Sequence, residues 1–256
     1  MKIHPTAIIS EKAKISENVE IGPYTVIGHD VEIGENTKVD PHCLIEGNTK
    51  IGKNCQIFMG AAVGSIPQDL KYKGEKSFLE IGDNNIIREY VTINVGASEN
   101  SKTAIGNNNL LMAYSHIAHD CKIGDDCIIA NCGTLAGHVL IGDKAVIGGL
   151  VAAHQFCRIG ELSIIGGCSK VTQDIPPYSL SDGRPARVYG LNLVGLKRHN
   201  ISKDVVEDLK RAFKIIFFSK LTFSHAIEKV EKEIFPHREI AHLIEFIKNS
   251  ERGICR

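Results

Sequence analysis

The chain has 256 residues, 43 % of them hydrophobic, and its 30 Lys and Arg are cancelled by 30 Asp and Glu. A chain of this length can bury a substantial core. The balanced charge gives no global field favouring nucleic acid or an anionic membrane, so an anionic substrate must be met by local charge. No apolar run approaches the roughly 18 residues that span a bilayer. The start, Met1-Lys2-Ile3-His4-Pro5, lacks the apolar stretch of a secretory signal, which makes the cytoplasm the expected compartment.

From Ile3 the chain steps in sixes, and 25 of the 29 positions from 3 to 171 are Ile, Leu or Val, the exceptions being Asp69, Glu75, Glu99 and Ala153. Helices place apolar residues three and four apart; a period of six, a multiple of two, fits short strands. Four positions after each aliphatic comes a second inward slot, held by Ala7, Ala13, Val19, Thr25, Val31, Thr37, Ala145 and Val151. Cys43, Cys55, Cys121, Cys127 and Cys157 occupy the same slot and read as small buried apolar groups. No CxxC pair occurs, and Cys121-x5-Cys127-x4-Cys132 does not match structural zinc spacing. Asn18, Asn36, Asn48, Asn54 and Asn108 suit turns that need φ > 0. One such unit cannot bury its aliphatic alone, so units must stack. The pattern resembles the left-handed parallel β-helix of hexapeptide repeats, three hexads to a triangular coil, over residues 3 to 187. The hand comes from the resemblance, not from the spacing.

Residues 67–80 (PQDLKYKGEKSFLE) and 99–104 (ENSKTA) break the repeat while the flanking aliphatics keep phase, so both read as loops ejected from a coil. Loops on a rigid scaffold are where ligands usually sit. With 18 residues per coil, His119, Gly137 and Gln155 stack in one column, and Asp120 and His138 in the next. His154 lies one step to the other side, and His116 three residues before His119. Four of the 11 histidines thus collect on one edge. Plain turn histidines are one reading. A zinc site is a second, as in carbonic anhydrases of the gamma class, which share this fold; it would want three converging imidazoles. Acid–base catalysis is the third: His119 takes a proton, Asp120 orients its ring, and the bare Gly137 N–H approaches an oxyanion.

After Val171 the text changes. Pro176-Pro177 and Gly183-Arg184-Pro185 punctuate the exit, and the chain divides into a β-helical domain, 1–187, and a C-terminal α-helical domain, 188–256. Ser202 caps a helix with Val205, Val206, Leu209, Phe213, Ile216 and Phe217 on one face. A second helix spans Ser224 to Ile234. A third follows Pro236, carries Ile240, Leu243, Ile244 and Ile247, and stops before Gly253.

Six motifs then match one family in order: Gln68-Asp69-Leu70-Lys71-Tyr72, His116-Ile117-Ala118-His119-Asp120-Cys121, Leu135-Ala136-Gly137-His138, His154-Gln155-Phe156, Gly195-Leu196-Lys197-Arg198 and Arg252-Gly253. Over nearly its whole length the chain resembles the UDP-N-acetylglucosamine acyltransferases, which begin lipid A synthesis in Gram-negative bacteria. The resemblance implies transfer of an (R)-3-hydroxyacyl group from acyl carrier protein to the 3-position of a UDP-linked glucosamine, with no cofactor and no metal. It makes His119 the general base, Asp120 its partner and Gly137 the oxyanion donor. Asp69 and Lys71 bind substrate near the sugar. His116, His138, His154 and Gln155 line the sugar, phosphate and pantetheine contacts, and Asn192 and Arg198 hold the nucleotide. Gly167 matches the floor of the acyl channel and implies room for a longer chain. A homotrimer with sites between neighbouring prisms is also implied.

Two departures leave the acceptor open between the hydroxyl sugar and its 3-amino analogue. Asn94-Val95 stands where many relatives carry His-Arg, and Val194 where another carries Glu. The rival readings are an acyltransferase of a later lipid A intermediate, a coenzyme A-dependent acetyltransferase of the same fold, and a non-catalytic scaffold. The first has an extra N-terminal uridine-binding domain, whereas repeats here begin at Ile3.

Overall fold

In the computed structural model, which describes residues 2–256, the hexads form short parallel strands that stack into three sheets of 11, 9 and 8 strands. Each strand pairs with one from the next coil, so the chain visits a first, second and third face in turn. The pairing is in register: Ile3 lies on Ile21, Ile21 on Val39, Val39 on Ile57 and Ile57 on Ile87. These aliphatics fill the prism, and Ile45, Ile57, Ile87, Ile117 and Ile129 are all at most 1 % exposed. The fold is a left-handed parallel β-helix followed by helices.

The second slot is also interior. Thr25 is tolerated there because its hydroxyl donates to the Asp40 carbonyl and accepts from the Cys43 N–H. Burial pushes the Cys121 and Cys127 thiols up to about 12, which keeps them neutral. At most corners one residue takes the left-handed conformation. Asn18, Asn36, Asn54 and Asn108 do so as expected, but Tyr90, Asp120, His138 and Phe156 do so as well. The stacked coils impose the turn through bonds such as His138 N–H to His119 O at 3.0 Å, so asparagine is favoured there but not required. Asn48 is not a turn residue: it begins the strand Asn48–Ile51 and its amide donates to the Ser77 carbonyl.

Both ejected loops leave the same edge, between the second and third faces. The first runs from strand Ala62–Ser65 to strand Phe78–Ile81, the second from Thr92–Asn94 to Lys102–Ile105. Residues 78–80 and 102–104, expected in loops, are strand, because Leu79 and Thr103 fill the interior slot with no exposed surface.

The first face ends in an antiparallel hairpin, Ser179–Gly183 with Ala186–Leu191, and the expected division after residue 187 falls inside its last strand. Four helices follow: α1 (Leu193–Arg198), α2 (Lys203–Phe217), α3 (Phe223–Glu233) and α4 (Arg238–Lys248). Ser202 caps α2 by accepting from Val205 N–H, and the helix buries Val205, Leu209, Phe213, Ile216 and Phe217. The hairpin and α1 carry no strong periodicity and were not foreseen. Among the described residues, no helix is long and apolar enough to cross a membrane.

Candidate active site

His119 follows the strand His116–Ile117 and turns onto the edge where both loops emerge. Its Nδ1 lies 2.9 Å from Oδ2 of Asp120, and the two side chains are 13 % and 10 % exposed. Asp120 sits in the left-handed region at φ 60°, with its N–H on the Thr103 hydroxyl at 2.8 Å. Oδ2 also accepts from Ala97 N–H at 3.1 Å. Burial works to raise the Asp120 pKa. Hydrogen bonds from His119, Ser101 and Ala97 N–H, with the His138 charge, outweigh it and hold the carboxyl below its ordinary range. An ionised carboxylate only accepts, so the proton of neutral His119 rests on Nδ1 and Nε2 is free to take another. Nε2 faces the first loop, 3.9 Å from Asp69 Oδ2.

Gly137 lies directly against this ring. A Cβ there would stand 2.5 Å from His119 Cε1 and 2.6 Å from Nε2, so only glycine lets imidazole and backbone stack. Its N–H donates to no acceptor among the described residues. His138 presents Nε2 3.7 Å from Asp120 Oδ2, stands edge-on to His119, and stacks on Phe156 with ring centroids 4.6 Å apart. His116 points outward with Nδ1 2.7 Å from the Thr92 hydroxyl, and burial, then the nearby His119, lower its pKa. Asp69 Oδ1 accepts from Lys71 N–H at 2.9 Å, and the Lys71 side chain is exposed. His154 and Gln155 lie exposed on the same edge, one coil beyond His138. A cleft of about 760 Å³ opens beside the dyad, where Lys102, Lys122 and Arg158 line the wall together with Asp120, Asp174 and Glu251, so its cations are matched by carboxylates.

Three expected residues lie elsewhere in the chain. Gly167 is on the edge between the first and second faces, stacked on Gly149. Asn192 is buried and occupied: it accepts from Gly195 N–H to cap α1 and donates to the Leu162 carbonyl at 2.8 Å. Arg198 is exposed in the last turn of α1. Sequence reasoning assigned no role to Thr92, Ala97, Ser101, Thr103 or Phe156. Phe156 was within reach, standing 18 residues after His138. Thr92 stands 24 before His116, because the second loop breaks the count.

His119, Asp120 and His138 are also the one group among the described residues whose ligand atoms, all within 4.8 Å of one another, could hold a metal ion. They offer two imidazoles and a carboxylate, not the three imidazoles of the zinc reading. What the arrangement favours is proton transfer: a base with a fixed tautomer, an ionised orienter, and an unpaired N–H a few ångströms away.

Comparison with known proteins identifies the family. A model of the six-residue repeats of bacterial transferases matches residues 12–47 and 102–137, and a model of the second domain of UDP-N-acetylglucosamine O-acyltransferases matches 174–255. The acyl-[acyl-carrier-protein]–UDP-N-acetylglucosamine O-acyltransferase of Thermodesulfovibrio yellowstonii is 54 % identical over 100 % of this chain and 99 % of its own. That of Thiobacillus denitrificans is 50 % identical over 99 % of each. Among solved structures, the UDP-N-acetylglucosamine acyltransferase LpxA of Bacteroides fragilis superposes with a TM-score of 0.97 at 47 % identity, and LpxA of Acinetobacter baumannii with 0.95 at 46 %, each covering 99 % of both chains. This chain is an acyltransferase and belongs to the acyl-[acyl-carrier-protein]–UDP-N-acetylglucosamine O-acyltransferase family.

Proposed function

We propose that this enzyme transfers an (R)-3-hydroxyacyl group from acyl carrier protein to the 3-hydroxyl of UDP-N-acetylglucosamine, the first step of lipid A synthesis. The observation that carries the mechanism is the 2.9 Å contact between His119 Nδ1 and Asp120 Oδ2, which leaves Nε2 as base. Nε2 takes the proton of the sugar hydroxyl as its oxygen attacks the thioester carbonyl. The new C–O bond places negative charge on the carbonyl oxygen, toward which the Gly137 N–H donates. The C–S bond then breaks, and His119 returns the proton to the departing thiolate. Asp69 and Lys71, on the first loop, hold the sugar end. His116, His138, His154 and Gln155 line the path of the pantetheine and phosphates.

The nucleotide contacts of Asn192 and Arg198, and the acyl floor at Gly167, lie off the His119 edge and come from a neighbouring protomer in a homotrimer. The first face supports such an assembly: Ile86, Leu110, Ile128, Val146, Ile164 and Leu180 form an outward aliphatic row, each paired in register with the next. A row of this kind needs covering. Because both hydrogen-bonding groups of the Asn192 amide are engaged within its own protomer, Arg198 carries more of the nucleotide's binding than Asn192. The enzyme acts in the cytoplasm, where acyl carrier protein supplies the donor.

The test is His119→Ala, assayed with acyl carrier protein thioesters against the hydroxyl nucleotide sugar and its 3-amino analogue. Activity is expected to fall on the order of 10²- to 10⁴-fold in a folded protein. Unchanged turnover removes His119 as base, and preference for the amine changes the product from ester to amide. A fully active monomer in sedimentation would remove the shared site.

A further inference from the structure

The first loop leaves the coil stack at a built hinge. Strand Ala62–Ser65 pairs with Thr92–Asn94 at Val63 and Ile93, then slips by one residue so that Ser65 faces Asn94. The extra residue is Gly64, at φ +85°, where a Cβ would collide with the Glu46 carbonyl oxygen and the Thr49 hydroxyl. A bulge of this kind bends a strand and re-aims the chain beyond it.

Asn94 fixes the new direction. Its side chain is 3 % exposed, and its Nδ2 donates to the carbonyl oxygens of Ile66 at 3.0 Å and Ser65 at 3.4 Å. The next rung places Ile93 on Ile117, so Asn94 lies over Ala118, the residue before His119. The far end of the loop is tied to the same segment: Asn100 N–H donates to the Lys76 carbonyl at 2.8 Å, and Lys76 N–H to Glu99 Oε2 at 3.1 Å. One buried amide therefore joins the rung beside the base to the point where the loop departs.

We propose that Asn94 is a positioning residue: its amide sets the exit angle of the first loop and so the placement of Asp69 and Lys71 over the Nε2 face of His119. This rests on the substrate-binding role of that loop. An aspartate at 94 would set a carboxylate against two carbonyl oxygens, and an alanine would leave the Ile66 carbonyl without this partner.

The experiment compares Asn94→Ala, Asn94→Asp, Lys71→Ala and the Asn94→Ala/Lys71→Ala double variant in the full-length enzyme. It reads kcat, the KM for the nucleotide sugar, and the rate of native-state tryptic cleavage at Lys71 and Lys73. The Asn94 variants are expected to raise KM about tenfold with kcat within about threefold, because a misplaced binding loop weakens positioning while leaving the dyad intact. Cleavage in the loop should run severalfold faster. In the Lys71→Ala background Asn94→Ala should add less than it does alone, since part of its effect runs through Lys71. A folded Asn94→Ala with parental KM and cleavage, or strictly additive effects, overturns the proposal. Lys71→Ala with unchanged KM removes Lys71 from substrate binding, and cleavage alone then decides: faster loop cutting in Asn94→Ala upholds the hinge, and unchanged cutting ends it.

Discussion

Nδ1 of His119 lies 2.9 Å from Oδ2 of Asp120, and the same oxygen takes the Ala97 N–H and faces His138 Nε2 at 3.7 Å. One carboxylate thus organises both imidazoles and the base of the second loop. Asp120→Asn keeps the shape and removes the charge; an amide N–H turned toward Nδ1 would drive the imidazole proton onto Nε2. Turnover at saturating concentrations of both substrates is expected to drop on the order of 10²- to 10⁴-fold. A variant within a few fold of the parent would show that the carboxylate does not set the tautomer.

The same residue makes a prediction about pH. Burial pushes the carboxyl up, but the bonds from His119, Ser101 and Ala97 prevail and hold it below its ordinary 3.8. A carboxyl depressed on folding contributes stability that is complete above its unfolded value and lost as pH falls through its folded value. The melting temperature of the parent should therefore exceed that of Asp120→Asn by a steady margin from neutrality down to about pH 5, and the margin should close in stronger acid. Calorimetry across that range decides it, and a margin that widens in acid contradicts the depressed carboxyl.

The fold was legible because its core has one rule. Ile57 and Ile87 are 30 residues apart, yet they stack as Ile21 stacks on Val39, since the loop between them adds two whole hexads. The stacking of His119 on Gly137 was legible for the same reason: they differ by one coil. Counting fails above His119, where the loops lengthen the coils: there Thr92 and Ala97 were hidden although they touch the site, and Asn94 stood out only as a departure from the family and not as the residue that holds the first loop. Asn192 was read through the resemblance as a nucleotide contact, and its local signal, an asparagine just before a helix, was passed over. Asn48 carried a turn residue's identity but pairs in a strand, because the loop's return at Ser77 needs its amide.

Gly137 is a test of the stack between ring and backbone. An added methyl group would meet Cε1 at 2.5 Å and Nε2 at 2.6 Å, while Nδ1 stays anchored to Asp120. The ring must tip and carry Nε2 away from the position that the proposed mechanism gives to the sugar hydroxyl. Gly137→Ala should lose about 10²-fold in kcat, with a far smaller change in KM and a nearly parental melting temperature, as its φ is outside the left-handed region. Parental kcat would mean that the ring has room to spare.

Asp174 fastens the chain's end to the last coil. It has no exposed surface; Oδ1 accepts from Arg158 N–H at 2.8 Å and Oδ2 from the Ser250 hydroxyl at 2.7 Å. Its backbone bonds both Gly253 and Cys255. Burial raises this carboxyl, and the bonds from Arg158 and Ser250 and the charges of Arg158 and Arg252 do not fully offset it. The sign is opposite to that of Asp120: a carboxyl raised on folding binds its proton more tightly in the native state, so its ionisation erodes stability as pH rises from the unfolded to the folded value. Asp174→Asn still accepts from Arg158 N–H and can donate to Ser250, without a buried charge. At pH 7 it is expected to melt at or above the parental temperature. Asp174→Ala leaves the Arg158 N–H without this acceptor and should cost about 1–3 kcal/mol. Thermal melts of the three proteins at pH 7 rank them; if Asp174→Asn melts well below the parent, the charge itself is holding the tail through Arg158 and Arg252.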